Sequence, residues 1–173
     1  MAAESENIEA SCAYVVGDDG LSRWSDTHRD AWIGLLETHK RLTRALESEM
    51  EAEHGLSLSA LELMGRLAAA DDRVLRLTDL ADLTGLSLSR ISRIVDSLEG
   101  RKLVERKRCP NDARARNAWL TGAGLKLLRD AQAMHFAAVQ ERFFGQIEEE
   151  DVAVLAAIFG RLAPGASEEC VEP

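Results

Sequence analysis

Between Leu86 and Thr121, nine Lys or Arg residues stand against four Asp or Glu in a 173-residue chain of formal net charge −9. The chain totals 21 bases and 30 acids, so 12 bases and 26 acids remain elsewhere. Cations gathered this tightly in an acidic chain are placed to meet a polyanion. Within the island, Ser89, Arg90, Arg93, Asp96 and Ser97 share one side of a helical wheel, opposite Leu88, Ile91, Val95 and Leu98. Laid in a DNA major groove, such a face lets Arg reach guanine acceptors or phosphates and lets Ser hydrogen-bond to either. The free N–H groups behind Ser87 favour a phosphate. For an isolated helix with two Arg, a merely solvated face is the alternative reading. Here a second basic unit follows directly. Leu103–Arg108 and Ala115–Leu120 flank the turn-forming Pro110-Asn111-Asp112-Ala113, a hairpin with its tip near Arg114 and cations alternating at Arg106 and Arg108. An Arg at such a tip can enter the narrow, electronegative minor groove, with Asp112 holding the loop or Arg114 in place.

Several elements must position these side chains. Thr78 is expected to cap a short helix that Gly85 ends, and Ser87 to cap the next, which runs to Leu98 and stops at Gly100. Ala81 supplies the small contact that steeply crossing helices need, Gly85 the turn, and Ile91 and Ile94 fill the angle between them. That is a helix-turn-helix. Upstream, Trp32, Leu35, Leu36, Leu42, Leu46 and Met50 recur at helical steps until Gly55, which predicts an amphipathic helix of roughly 30 residues from Ser25. A second helix is expected from Ser59, whose spacing to Glu62 is that of a capping box, as far as Asp71-Asp72, followed by a brief strand at Val74–Leu77. Downstream, Thr121 should cap a long helix through Phe143. After an acidic break at Glu148–Asp151, a last helix carries Val152, Leu155, Phe159 and Leu162 before Pro164-Gly165.

This order of elements, with Asp112-Ala113-Arg114 followed by Leu120-Thr121, resembles the MarR family of winged helix-turn-helix transcription regulators over about Trp32 to Leu162. The resemblance implies a mainly α fold with a small β-wing, and a homodimer whose first and last helices interlock. It implies that each subunit places a recognition helix in the major groove and a wing in the minor groove of a palindromic double-stranded DNA. By position, the recognition role passes to Ser87, Ser89, Arg90, Ser92 and Arg93, and the wing role to Asp112 and Arg114. Ala113 stands where many members of the family carry a base, and Arg116 is the available substitute. Arg76, just before the helix-turn-helix, is a further candidate for a phosphate, although simple exposure accounts for it nearly as well.

The resemblance also implies an effector, a small aromatic or acidic ligand or an oxidant that releases DNA. Trp32, His39 and His135 are candidates for its pocket, since a ring face and imidazole donors suit an aromatic anion. An ordinary core role is the competing reading of Trp32, which lies on the apolar stripe of its helix. Cys12 and Cys109 raise the alternative of a redox-sensing regulator. Cys109 lies beside Arg108, whose charge favours a thiolate, and a passive surface thiol is the competing reading. Among His28, His39, His54 and His135 no pair has the i, i+4 spacing of metal ligands, and the three cysteines form no CxxC, so neither metal nor cofactor is expected.

The rest of the composition bounds the problem. At 46% hydrophobic and 29% charged residues with only 5% aromatics, the chain is globular and suited to helices. Residues 1–22 read as a flexible acidic tail, 23–56 as an N-terminal dimerisation helix and 57–121 as the winged helix-turn-helix DNA-binding lobe. Residues 122–165 read as C-terminal dimerisation helices and 166–173 as a second acidic tail. The acidic start lacks the pattern of a signal peptide and no apolar run reaches membrane length, which together with the scattered thiols points to a cytoplasmic protein. No P-loop, G-x-S-x-G or HExxH is present, so an enzyme is not expected. A winged helix that binds an acidic protein partner instead of DNA is the remaining alternative, and the Ser/Arg pattern of the recognition helix argues against it.

Overall fold

The computed structural model describes residues 14–109 and 112–163, and the side chains of 108–115 are outside that description. The chain divides into two compact units, residues 1–44 and 45–173, with the boundary inside the first long helix.

In the first unit, β1 (Tyr14–Val16) and β2 (Ser22–Trp24) pair antiparallel, Tyr14 opposite Trp24. Part of the stretch expected to be a tail is therefore a hairpin. Gly17 and Gly20 make its turn, Gly20 at φ 75°, a value a Cβ would resist. The Asp19 carboxylate accepts from Leu21 N–H at 3.0 Å and pairs with Arg23 across the turn. Sequence patterning missed β2 because three residues of mixed polarity carry no alternation to read. Helix α1 (Asp26–His54) follows, and its early apolar positions Trp32, Ile33, Leu35 and Leu36 are exposed.

The second unit takes in the last turns of α1, where Leu46 and Met50 are buried, and Gly55 ends the helix at φ 61°. Helix α2 (Leu58–Ala69) is capped by Ser57, whose Oγ accepts from Ala60 N–H at 3.1 Å, while Glu47 of α1 accepts from Leu58 N–H at 2.9 Å. The expected cap at Ser59 is thus one residue pair too late, and Glu62 faces Arg66 at 3.8 Å instead of turning back to the helix start. A 3₁₀ turn at Asp71–Arg73 leads to β3 (Val74–Arg76) and α3 (Leu77–Thr84). Thr78 does not cap α3: the helix already begins at Leu77, and the Thr78 hydroxyl donates to Asp79.

After the turn at Gly85 come α4 (Leu88–Gly100), β4 (Val104–Cys109) and β5 (Asp112–Leu120), and the strands form one antiparallel sheet in the order β3-β5-β4. Helix α4 ends at Gly100 as expected, although Gly100 does not supply the left-handed turn. The chain reverses two residues later at Lys102 (φ 59°), where Leu103 N–H reaches Leu98 O and Lys102 N–H reaches Glu99 O, both at 2.9 Å. This is the paired bonding of a Schellman ending, with lysine where glycine is usual. Helix α5 (Gly122–Arg142) is capped by the buried Thr121, and α6 (Glu149–Leu162) closes the described chain. The acidic run expected to break the chain instead builds the first turn of α6, where Glu149, Glu150 and Asp151 complement the positive end of the helix dipole. The core joins Leu63, Met64 and Leu67 of α2 to Leu80, Ile91, Val95, Leu98 and Val104, and to Leu128 and Ala131 of α5.

Candidate nucleic-acid interface

Helix α4 is held by its apolar face and capped at its start. Ile91 and Val95 are fully buried and Leu98 nearly so, while Ser87 Oγ accepts from Arg90 N–H at 3.4 Å. Leu88, expected on the buried line, is half exposed (49%) in the first turn of α4. Ser87, Ser89, Arg90 and Arg93 are all exposed, as expected for a reading face. The Arg90 guanidinium donates to Ser59 Oγ at 3.2 Å, and Arg93 Nε to Ser89 O at 3.4 Å, so both cations are led along the surface instead of into the core. Beside them, a cleft of about 500 Å³ runs between the end of α1, the start of α2 and α4, lined among others by Ser57, Arg90, Arg93, Ile94 and Arg101.

Ser92 and Asp96 depart from the expected face. Ser92 is half buried, and both its hydroxyl and its carbonyl lie 3.2 Å from Arg106 Nη2. Asp96 is exposed but pairs with Arg106. The pleat of β4 explains this. Val104 points into the core, so Arg106, two residues on, shares its face and meets α4, while Glu105 and Lys107 point outward. Hydrogen bonding to Asp96, aided by the charges of Asp96 and Glu99, holds the Arg106 guanidinium above its ordinary pKa against the opposing effect of burial. The outward Lys107 instead sits 3.8 Å from the centroid of the Trp119 ring, a cation–π contact within the wing.

The wing strands are in register from Val104↔Leu120 to Arg108↔Arg116, and then Cys109 pairs with Asp112. Three residues, 113–115, therefore oppose no partner, and Arg114 is in the middle of that excess, within β5 and beyond the turn itself. The side chains of Cys109, Asp112 and Arg114 fall outside the described residues, and Cys12 lies wholly outside them. Arg116 is exposed on β5, and Arg76 is exposed at the end of β3, opposite Asn117. Of the effector candidates, Trp32 (53% exposed) and His39 lie exposed on α1 in the first unit. His135 lies on α5 in the second unit, with its Nδ1 buried and unpaired among the described residues and its pKa lowered by burial.

One brace gave no sequence signal. Arg101, just past α4, donates to Gly55 O at 2.5 Å and to His54 O at 2.8 Å, satisfying the last carbonyls of α1. The spacing of 46 residues hides such a contact from any local pattern.

The same arrangement recurs in known proteins. A family model described as MarR family matches residues 54–115, the stretch from the end of α1 through most of the wing. The crystal structure of AbsC, a MarR family transcriptional regulator from Streptomyces coelicolor, is 32% identical, superposes with a TM-score of 0.74, and matches over 82% of this chain and 95% of its own. The chain belongs to the MarR family of transcriptional regulators. Another member, Sco3205 from the same organism, solved in complex with DNA, is 30% identical with a TM-score of 0.76, over 83% of this chain and 90% of its own. The HTH-type transcriptional regulator MhqR of Bacillus subtilis (strain 168) is 28% identical over 116 residues, 67% of this chain and 78% of that protein. The family model ends inside the wing, so the parts of this MarR family regulator outside residues 54–115, the β1–β2 hairpin and α6 among them, lie beyond what it matches.

Proposed function

We propose that this regulator is a dimeric repressor that binds a palindromic double-stranded DNA, with α4 in the major groove and the β4–β5 wing in the adjacent minor groove. The observation that carries the reading is the outward face Ser87, Ser89, Arg90 and Arg93, with no acid among these four, beside a basic wing in an otherwise acidic chain. The similar Sco3205 has been solved with DNA, which supports the same partner here. Two uncovered apolar surfaces support a second copy: the early turns of α1, with Trp32, Ile33, Leu35 and Leu36, and α6, which buries none of its residues and exposes Val154, Ile158, Phe159 and Leu162. Trp32 is then an interface residue or part of an effector site. A small aromatic or acidic ligand remains the proposed release signal.

The test is selection of bound duplexes from a random pool, followed by anisotropy titration against added salt. The expected site has two inverted half-sites about one helical turn apart. Affinity should fall with salt at a slope of about −0.9 per phosphate contacted. Arg90→Ala and Arg114→Ala should each weaken binding by about 5- to 150-fold, the effect of losing about 1–3 kcal/mol. Absence of any selected site, or indifference to both substitutions, would overturn the reading.

A further inference from the structure

Asp96 and Glu99 lie on the very helix proposed to enter a groove lined by phosphates, where an acid repels the ligand. Both are engaged by one residue. Arg106 of β4 sends Nη1 to Asp96 and, at 3.0 Å, to Glu99 Oε2, while Nη2 lies 3.2 Å from both Ser92 Oγ and Ser92 O. Its backbone N–H adds a bond to Glu99 Oε1 at 3.1 Å. The Arg106 side chain is only 18% exposed while Asp96 and Glu99 are 59% and 40% exposed, so the network is sheltered at the arginine and open to solvent at the acids, and it spans two full turns of α4. Four acceptors from three residues surround a planar fork that lysine cannot reproduce.

We propose that Arg106 is a positioning residue that fixes the wing to the recognition helix, so that the two elements engage DNA as one body. This inference rests on the DNA-binding reading above. The wing is three-stranded only at its base, where β3 also pairs with β5, and its two-stranded part beyond is free to twist and swing about that base. The distance from the helix to the wing decides whether the wing falls in the minor groove next to the major groove that the helix reads. Arg106 grips α4 along Ser92, Asp96 and Glu99, and through its own N–H it grips the strand backbone as well. With its charge met by two carboxylates, it is a strut and not a phosphate contact, and Asp96 is retained on the DNA side because it holds that strut.

The experiment compares the wild-type protein with Arg106→Lys, Arg106→Met and Asp96→Asn by duplex selection and hydroxyl-radical footprinting, which reads the minor groove. Thermal unfolding of each protein checks folding. Arg106→Lys is expected to keep the base preferences beneath α4, to lose protection and preference in the flanking minor groove, and to weaken binding about tenfold. Asp96→Asn is the discriminating variant, because removing an acid from the DNA side should tighten binding if charge alone matters; the expected result is loss of flank protection instead. If Arg106→Met does not fold, the lysine and asparagine variants carry the test. An unchanged flank in both, tighter binding of Asp96→Asn with the wild-type footprint, or a uniform loss at helix and flank positions alike would overturn this inference while leaving DNA binding intact. Failure of the wild-type protein to select any duplex would instead remove the reading it rests on.

Discussion

Replacing Gly124 with alanine tests the junction on which the wing and α5 are built. Gly124 is the third residue of α5, and its N–H donates to Thr121 Oγ1 at 2.9 Å. A Cβ added there would lie 2.1 Å from Leu103 O, 2.7 Å from Leu120 Cδ1 and 3.0 Å from Leu103 C. Leu103 O cannot easily withdraw. It accepts from Thr121 N–H at 3.1 Å and lies 3.1 Å from the Thr121 hydroxyl, and its own residue leads into the buried Val104. Overpacking of this kind costs about 1–3 kcal/mol. Disturbing the Thr121 cap adds about 1 kcal/mol. The better helix propensity of alanine returns about 1 kcal/mol at most. The net expectation is a loss of about 1–3 kcal/mol. With a urea slope of about 2 kcal/mol/M, the unfolding midpoint should drop by about 0.5–1.5 M. The assay is equilibrium urea unfolding followed by far-UV circular dichroism, at one protein concentration because association raises apparent stability. Gly100→Ala is the control, since nothing lies within 4 Å of its Cβ, and it should be stable or gain up to about 1 kcal/mol. If Gly124→Ala unfolds at or above the wild-type midpoint, the loop at Leu103 yields freely and the reasoning about this junction is wrong.

Two further outcomes follow from single residues. Lys102→Gly should stabilise the protein by about 0.5–1 kcal/mol in the same urea assay, because the left-handed conformation at φ 59° costs a lysine more than the extra chain entropy costs a glycine; a lower midpoint would show that the lysine side chain has an uncounted partner. Burial lowers the pKa of His135, so its unfolded state binds the proton more readily. Stability from this group is present above the unfolded pKa of about 6.5 and falls as pH drops below it towards the folded pKa. His135→Gln should flatten the decline between about pH 7 and 5, and an unchanged slope would mean the ring is solvated.

Much of the site is legible in local spacing. Ser87 and Thr121 cap their helices as their positions announce, because a cap joins a side chain to an N–H three residues on, a contact made within the span that fixes it. The buried line of Ile91, Val95 and Leu98 and the exposed Ser89, Arg90 and Arg93 follow from the helical period alone. Ser57 and Ser59 show where local reading becomes ambiguous: two serines two residues apart offer rival caps, and the Glu47 carboxylate, eleven residues upstream of Leu58, meets the N–H behind the first. Arg106 marks the further boundary. A cation on a wing reads as a DNA contact, yet the pleat that buries Val104 turns Arg106 onto α4, where acids ten and seven residues away receive it. The sequence by itself determined which helices form, the caps of α4 and α5 and where positive charge is concentrated, since those properties rest on neighbours within a turn. Only the tertiary structure decided which of those charges remain free for a ligand, because pairing across strand and helix depends on packing that no short spacing encodes.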